Sequence, residues 1–264
     1  MLEKLNGETR LFPIIGDPIT FVQSPRTLTS GFASRGRNNL CMPMQVPRAN
    51  LEAVMRGLTA TSNVDGILVT MPHKSAAFNY CTTRSDTSRL LGGVSVMRRN
   101  PDATWHGDML DGLAFVKAQT DAGARVEGAR ALLVGAGAAG SAIAVALLQS
   151  GVRELIIHDA DEARVTRLIE VIAHLAPGRV RVGLADPTGC DIVSNATPMG
   201  MAEDDPLPVP ADLLASSMFV GDVIAGHGAT PFLHAARSVG CKTANGVQMV
   251  DAVQEMMLNF FSAT

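Results

Sequence analysis

The chain has 264 residues, 47% hydrophobic and 18% charged, which is enough for two modest domains with a substantial core and too apolar for intrinsic disorder. A formal net charge of −3 gives no basic surface, so neither nucleic acid nor an anionic membrane is an expected partner. Cys41, Cys81, Cys190 and Cys241 are scattered without a C-x-x-C pair, which suits buried free thiols in a reducing compartment. Residues 1–8 carry no signal-peptide core, and no apolar run approaches the ~20 residues of a membrane span. A soluble, cytoplasmic protein is expected.

In chain order, 10–16 reads as a first strand ending in glycine, and Asp17-Pro18-Ile19 as a turn. Ser24-Pro25 reads as a helix start, with Ser24 as the cap, and the helix runs to about residue 34. A second strand is expected over 39–44. Val46-Pro47-Arg48 opens a helix in which Leu51, Val54, Met55 and Leu58 fall at helical spacing. The apolar run 66–70 suits a strand buried on both faces of a parallel sheet. Met71-Pro72-His73-Lys74 begins the next helix. Residues 92–98 and 104–107 read as strands about the turn Asn100-Pro101-Asp102. Helical spacing resumes near Asp111, with Leu113, Val116 and Ala124. Strands follow at 131–134, 154–158, 180–182, 191–195, 218–224 and 241–244, and helices at 141–148, 162–173, 231–240 and 249–261. Because strand and helix alternate, parallel sheets are expected.

One stretch organises the rest. Val134-Gly135-Ala136-Gly137-Ala138-Ala139-Gly140 lies between a buried strand and an alanine-rich helix. Strand, G-x-G-x-x-G turn and helix together make the dinucleotide fingerprint. Gly135 permits the tight turn, Gly137 the approach of a pyrophosphate, and Gly140 close packing of helix on strand. The next strand ends in Asp159, where an acid meets a ribose 2′-hydroxyl. A carboxylate there repels a 2′-phosphate, so NAD is favoured as cofactor, and Arg164 nearby keeps NADP open. Residues before 111 then read as a separate α/β domain, with a ligand site expected between the two.

Lys74 and Asp111 are the candidate catalytic pair. Lys74 follows a strand's carboxyl end, where open α/β sheets bind ligands, and a lysine with a carboxylate can relay a proton while hydride goes to nicotinamide. Spacing alone leaves plainer readings: a solvated lysine in a first helical turn, and a helix cap.

Eight segments in order carry a resemblance: Gly16-Asp17-Pro18-Ile19 with Ser24-Pro25; Val69-Thr70-Met71-Pro72-His73-Lys74; Gly92-Gly93-Val94; Gly107-Asp108 with Asp111-Gly112; Asn195-Ala196-Thr197-Pro198-Met199-Gly200-Met201; Asp222-Val223-Ile224; Thr230-Pro231-Phe232-Leu233; and Gly246-Val247-Gln248-Met249. They resemble the shikimate dehydrogenase family over nearly the whole chain. The resemblance implies an α/β substrate domain (1–110), a Rossmann NAD(P)-binding domain (111–246) and a C-terminal helix (247–264) returning to the first. It implies reversible hydride transfer at a ring hydroxyl of a cyclic hydroxy acid such as shikimate or quinate, by a monomer or homodimer. Lys74 and Asp111 become the proton-handling pair, and Ser24, Thr70, Ser95 and Gln254 the substrate contacts. Coenzyme contacts fall on Gly135, Ala136, Gly137, Ala138, Ala139, His158, Asp159, Arg164, Thr197, Pro198, Met199, Val223, Gly246 and Met249. Asp86 sits where the family often has an acid, although a helix cap explains it equally well.

The departures matter too. Val22 replaces one of the family's two serines. Ser95 and Val96 stand for its asparagine and threonine, and Met109 and Leu110 for the pair before the catalytic aspartate. Ala225 replaces a tyrosine, and Val253 takes the expected glutamine position with Gln254 one residue off. Each lost buried hydrogen bond costs ~1–3 kcal/mol, so the pocket suits a ligand with fewer polar groups or a bulkier ring substituent. The thinned shell also keeps a second reading in view, a nucleotide-binding sensor without catalysis. His73 beside Lys74 could join the proton relay but reads first as a surface histidine, Glu203-Asp204-Asp205 reads as a solvated acidic loop, and His106, His158, His227 and His234 show no metal-ligand spacing.

Overall fold

The structure is a computed structural model that describes residues 5–20, 22–202, 204–225 and 228–262; His227 and Glu203 lie outside them. The chain divides into two units. One ends at Leu110 and resumes at Gln254, and the other is Asp111–Val253.

In the first unit six strands make one sheet: β1 (Arg10–Gly16), β2 (Asn39–Gln45), β3 (Gly66–Val69), β4 (Thr83–Arg84), β5 (Val96–Arg99) and β6 (Trp105–Asp108), in the order β2-β1-β3-β5-β6-β4. β1 pairs in parallel with β2 and β3. β5 runs antiparallel to both β3 and β6, which corrects the expectation of parallel sheets for this unit. For β5 and β6 the turn between them is the reason. Asn100 N donates to Thr104 O at 2.8 Å, and so short a connection can only return the chain antiparallel.

The helices of this unit are α1 (Ser24–Ser34), α2 (Leu51–Ala60, entered through a 3₁₀ turn at Arg48–Asn50), α3 (Lys74–Phe78) and α4 (Asp86–Leu91). Gln23, not Ser24, holds the cap position of α1, without a side-chain bond, so Ser24 lies inside the first turn. In α4 the cap is Ser85, whose Oγ accepts from Ser88 N at 3.1 Å, and Asp86 is a first-turn acid paired with Arg89.

The second unit holds β7 (Arg130–Val134), β8 (Glu154–His158), β9 (Val180–Val182), β10 (Ile192–Asn195), β11 (Phe219–Asp222) and β12 (Lys242–Ala244), with α5 (Asp111–Asp121), α6 (Ala138–Gln149), α7 (Glu162–Ile172) and α8 (Pro231–Ser238). Its sheet is parallel throughout, in the order β12-β11-β10-β7-β8-β9. Strand order therefore reverses between β7 and β10, the switch point at which doubly wound sheets open a crevice. Leu132, Leu133, Leu155, Ile157, Val193 and Val220 are buried, as strands covered on both faces require.

α5 departs from the simple apolar pattern. Leu113 is exposed, Ala124 lies beyond the helix, and the buried face carries Gly112, Ala114, Phe115, Val116, Ala118 and Gln119. A Cβ on Gly112 would lie 2.0 Å from the carbonyl oxygen of Ala142 in α6. Close backbone approach, rather than the largest side chains, sets which face is inside.

The last helix, α9 (Gly246–Phe260), passes from one unit to the other between Val253 and Gln254, later than residue 247. Its first turn belongs with the second unit because Gly246 N donates to Ile224 O at 3.2 Å. Its final turns belong with the first. Gln254 Nε2 donates to Thr27 O at 3.1 Å, and Arg35 pairs with Glu255 at 2.6 Å. The Phe261 ring lies tilted with its centre 4.9 Å from that of Phe12, which lies 4.6 Å from Phe32, and aromatic contacts of this kind add about 0.5–1.5 kcal/mol beyond area burial. The four cysteines are buried and free. Burial pushes the Cys41 thiol up to about 12 and the Cys81 thiol to about 11, which keeps both protonated and inert at neutral pH. Among the described residues no helix is long and apolar enough to cross a membrane.

Replacing a helical glycine by alanine ordinarily stabilises by about 1 kcal/mol. Gly112→Ala should do the reverse, lowering stability by about 1–3 kcal/mol as α5 and α6 are forced apart. Urea denaturation reads this directly, and an unchanged or raised midpoint would contradict the packing described.

Candidate functional site

At the carboxyl end of β7 the chain turns sharply at Gly135, with φ +107°, a conformation that side chains rarely tolerate. Gly135 N donates to His158 O at 2.7 Å. Gly140 lies so close that a Cβ there would sit 1.9 Å from Gly135 O. Gly137 is the cap residue of α6 in extended backbone, and no side chain caps this helix. A Cβ on Gly137 would meet nothing within 4 Å. The first N–H groups of a twelve-residue helix therefore face an open crevice with the positive dipole end forward.

Asp159, just past β8, borders that crevice. Its Oδ2 accepts from Ala136 N at 2.7 Å and its Oδ1 from Asp161 N at 2.9 Å. Each carboxylate oxygen keeps acceptor capacity for a further hydroxyl. Arg164 pairs with Asp161 at 3.2 Å.

The opposite wall follows β10. Asn195 Oδ1 accepts from Thr197 N at 3.0 Å and Thr197 Oγ1 at 2.6 Å, and its Nδ2 donates to Met199 O at 3.1 Å. Beyond this turn Asp205 Oδ2 accepts from Gly200 N at 3.1 Å and Ala202 N at 2.9 Å. Asp205 is thus a clasp on the loop, a correction to its reading as a solvated acid.

Between the walls lies a groove of about 760 Å³, in the range of small-molecule sites. Of the expected coenzyme residues it gathers Gly135, Gly137, His158, Asp159, Arg164, Thr197, Pro198 and Met199. Ala136, Ala138, Ala139, Val223, Gly246 and Met249 stand outside its lining. Ala136 contributes its N–H to Asp159, and Val223 N donates to Asn195 O at 3.1 Å. Sequence reasoning missed Ala160, Ala185 and the run 207–211, which also line the groove. The alternating prolines Pro206, Pro208 and Pro210 were the available signal, since such a segment stays extended and has few N–H groups to satisfy.

In the first unit Lys74 is the first residue of α3 and half-buried. Its carbonyl accepts from Val94 N at 3.0 Å. His73 is 1% exposed, with Nε2 2.6 Å from Val46 O, which corrects its reading as a surface histidine. That bond ties the turn before Lys74 to the end of β2. Thr70 is half-buried and sits where a Cβ on Gly16 would come within 2.3 Å of its methyl carbon, so Gly16 makes its room. Ser24 is half-buried in α1. Ser95 is buried, and its Oγ accepts from Leu110 N at 2.9 Å. Gln254 is half-buried and bonded to α1. In the second unit Asp111 opens α5, also half-buried. Val96, Met109 and Leu110 are buried apolar side chains. Among the described residues no cluster of three or more His, Cys, Asp or Glu is arranged to hold a metal ion.

The open helix end, the side-chain-free Gly137 and the acid beside the crevice fit a dinucleotide. Comparison with known proteins agrees. Residues 14–97 match the model of the shikimate dehydrogenase substrate binding domain. A shikimate dehydrogenase (NADP(+)) of Rubrobacter xylanophilus is 37% identical over 253 residues, covering 94% of this chain and 88% of that protein. The shikimate 5-dehydrogenase of Listeria monocytogenes, solved with shikimate and NAD, superposes with a TM-score of 0.91 at 26% identity, over 98% of this chain and 94% of that one. The quinate dehydrogenase of Corynebacterium glutamicum, solved with NAD, gives 0.88 at 25% identity, over 97% and 94%. With that relative matched along almost its full length, this chain belongs to the shikimate dehydrogenase family.

Proposed function

We propose that this chain catalyses reversible, nicotinamide-linked hydride transfer at a ring hydroxyl of shikimate, quinate or a related cyclic acid. The groove at the β7/β10 switch point carries the reading, because it joins an uncapped helix end to an acid at the end of β8. A bound nicotinamide coenzyme supplies or accepts the hydride. The N–H groups at the start of α6 hold its pyrophosphate, and Asp159 accepts from a ribose hydroxyl. Asp159 also repels a 2′-phosphate, and Arg164, which lines the groove, is paired with Asp161. NAD is therefore the preferred coenzyme of this chain, whereas the Rubrobacter relative is described as an NADP(+) enzyme.

Lys74 and Asp111 are assigned the proton at the substrate oxygen, as acid and base matched to the hydride step. Ser24 and Thr70 offer hydroxyls to the substrate. Ser95 already accepts from Leu110 N, which leaves its O–H proton and one lone pair to offer. Val96, Met109 and Leu110 offer no polar group at all, and the substrate is accordingly one with fewer polar substituents or a bulkier ring.

Absorbance at 340 nm with shikimate, quinate and their analogues should show turnover, with kcat/KM higher for NAD⁺ than for NADP⁺. No turnover with any cyclic hydroxy acid and either coenzyme would overturn the assignment. Lys74→Ala should lower kcat by about 10²–10⁴-fold, the usual contribution of a positioned acid or base, with coenzyme affinity unchanged. In Asp159→Ser the ratio of NADP⁺ to NAD⁺ use should rise about tenfold or more, as one close charge repulsion is removed; an unmoved ratio would show that this carboxylate does not select the coenzyme.

A further inference from the structure

We infer that Asp222 is a positioning residue for the coenzyme groove: its buried carboxylate fixes the orientation of the Asn195 amide and, through it, the shape of the turn 195–199 that forms one wall. This rests on the proposed coenzyme site, but Asp222 does not line the groove.

Asp222 ends β11, and both it and Asn195 are 0% exposed. Its Oδ1 accepts from Asn195 Nδ2 and from Ile224 N, each at 3.1 Å, and its Oδ2 accepts from Thr230 Oγ1 at 2.6 Å. Burial raises this carboxyl above its ordinary value, while the bonds from Thr230, Ile224 and Asn195 limit the rise. The three donors come from three places: the end of β10, the backbone just after β11, and the cap of α8, where Thr230 Oγ1 also accepts from Leu233 N at 3.3 Å.

An ionised carboxylate only accepts. The Asn195 amide must therefore turn its nitrogen toward Asp222, which leaves its oxygen facing Thr197. In that orientation every bond of the amide is made: Nδ2 to Asp222 and Met199 O, Oδ1 from Thr197 N and Thr197 Oγ1. Thr197 Oγ1 in turn accepts from Met199 N at 3.1 Å. Turned the other way, the amide would set its oxygen against the carboxylate and its N–H groups against Thr197 N. Buried donors and acceptors left unpaired are costly, so the acid two strands from the glycine turn dictates where Thr197, Pro198 and Met199 stand.

Three variants test this. Asp222→Ala removes the acceptor, Asp222→Asn keeps one acceptor oxygen at similar volume, and Thr230→Val removes the α8 cap while leaving the Asp222–Asn195 bond. Amide hydrogen exchange in the protein without coenzyme, and calorimetric titration with NAD⁺ and NADH, are the readouts, with melting temperature alongside. In Asp222→Ala, exchange at Thr197 and Met199 should quicken about tenfold or more, and the coenzyme Kd should rise by a similar factor, as loss of one buried acceptor implies. The kcat at saturating coenzyme should stay within about threefold, since the contact is not made in the transition state alone. Asp222→Asn should restore both readouts to within about threefold. Thr230→Val should lower the melting temperature yet leave both unchanged. Unaltered exchange and affinity in Asp222→Ala, or equal losses in Thr230→Val, would overturn the inference. A wild-type protein that binds no nicotinamide coenzyme would instead strike the proposed function, while the exchange data would still decide the role of Asp222. If Asp222→Ala does not fold, Asn195→Asp reads the same contact from the other side, with the same exchange and affinity losses expected and their absence counting against the inference.

Discussion

The carbonyl oxygen of Gly135 occupies the space that a Cβ on residue 140 would need, 1.9 Å from it. This contact brings the first turn of α6 down onto the end of β7, and the rest of the second unit is arranged around the result. With strand and helix so close, the leading N–H groups of α6 cannot be covered by a side chain of the turn, and none is. They open instead at the point where strand order reverses between β7 and β10. A parallel sheet places its crevice there whatever it binds. Glycine at 135, 137 and 140 leaves bare backbone in this particular crevice, the setting that suits the phosphate contact proposed for it.

The two walls of the groove are held by different physics. The β7–α6 wall depends on missing side chains, since it is shaped by how near backbone can come to backbone. The β10 wall depends on complete hydrogen bonding, with Asn195 and Asp222 exchanging donors and acceptors until none of the amide is left over. Asp159 links the first wall to β8 by accepting from Ala136 N. A site whose walls are bonded this way needs little ordering when a ligand arrives, which lowers the cost of binding.

Much of the second unit was legible in the amino-acid order because its strands are buried on both faces and read as unbroken apolar runs, and because the glycine spacing has one physical use. The first unit was legible in its elements but less so in its pairing. Val96 and Met97 are buried and Arg98 and Arg99 half-buried, a pattern that does not distinguish a parallel from an antiparallel neighbour, and only the brevity of the turn at Asn100 points to the antiparallel pairing with β6. His73 looked exposed because it sits in a short polar turn, and its burial depends on a carbonyl of Val46, 27 residues away. Leu113 looked internal because it is large, whereas the α5–α6 contact selects for small residues. Asp222 belongs to a segment that carries the family resemblance, but its bonding is not legible there, because its partner Asn195 lies 27 residues off on another strand. Pro208 and Pro210 line the groove through tertiary placement that their alternation alone does not fix. In each case the missing information was a long-range partner rather than a local preference.

Family membership and the coenzyme site rest on separate observations, one on identity along the chain and the other on an uncapped helix end beside an acid. A crystal structure with NAD(H) bound tests the second most directly. The pyrophosphate is expected against the backbone N–H groups of residues 137–139, and the adenosine ribose within hydrogen-bond distance of the Asp159 carboxylate. Coenzyme bound elsewhere in the chain, or held here with its phosphates turned away from the start of α6, would contradict it.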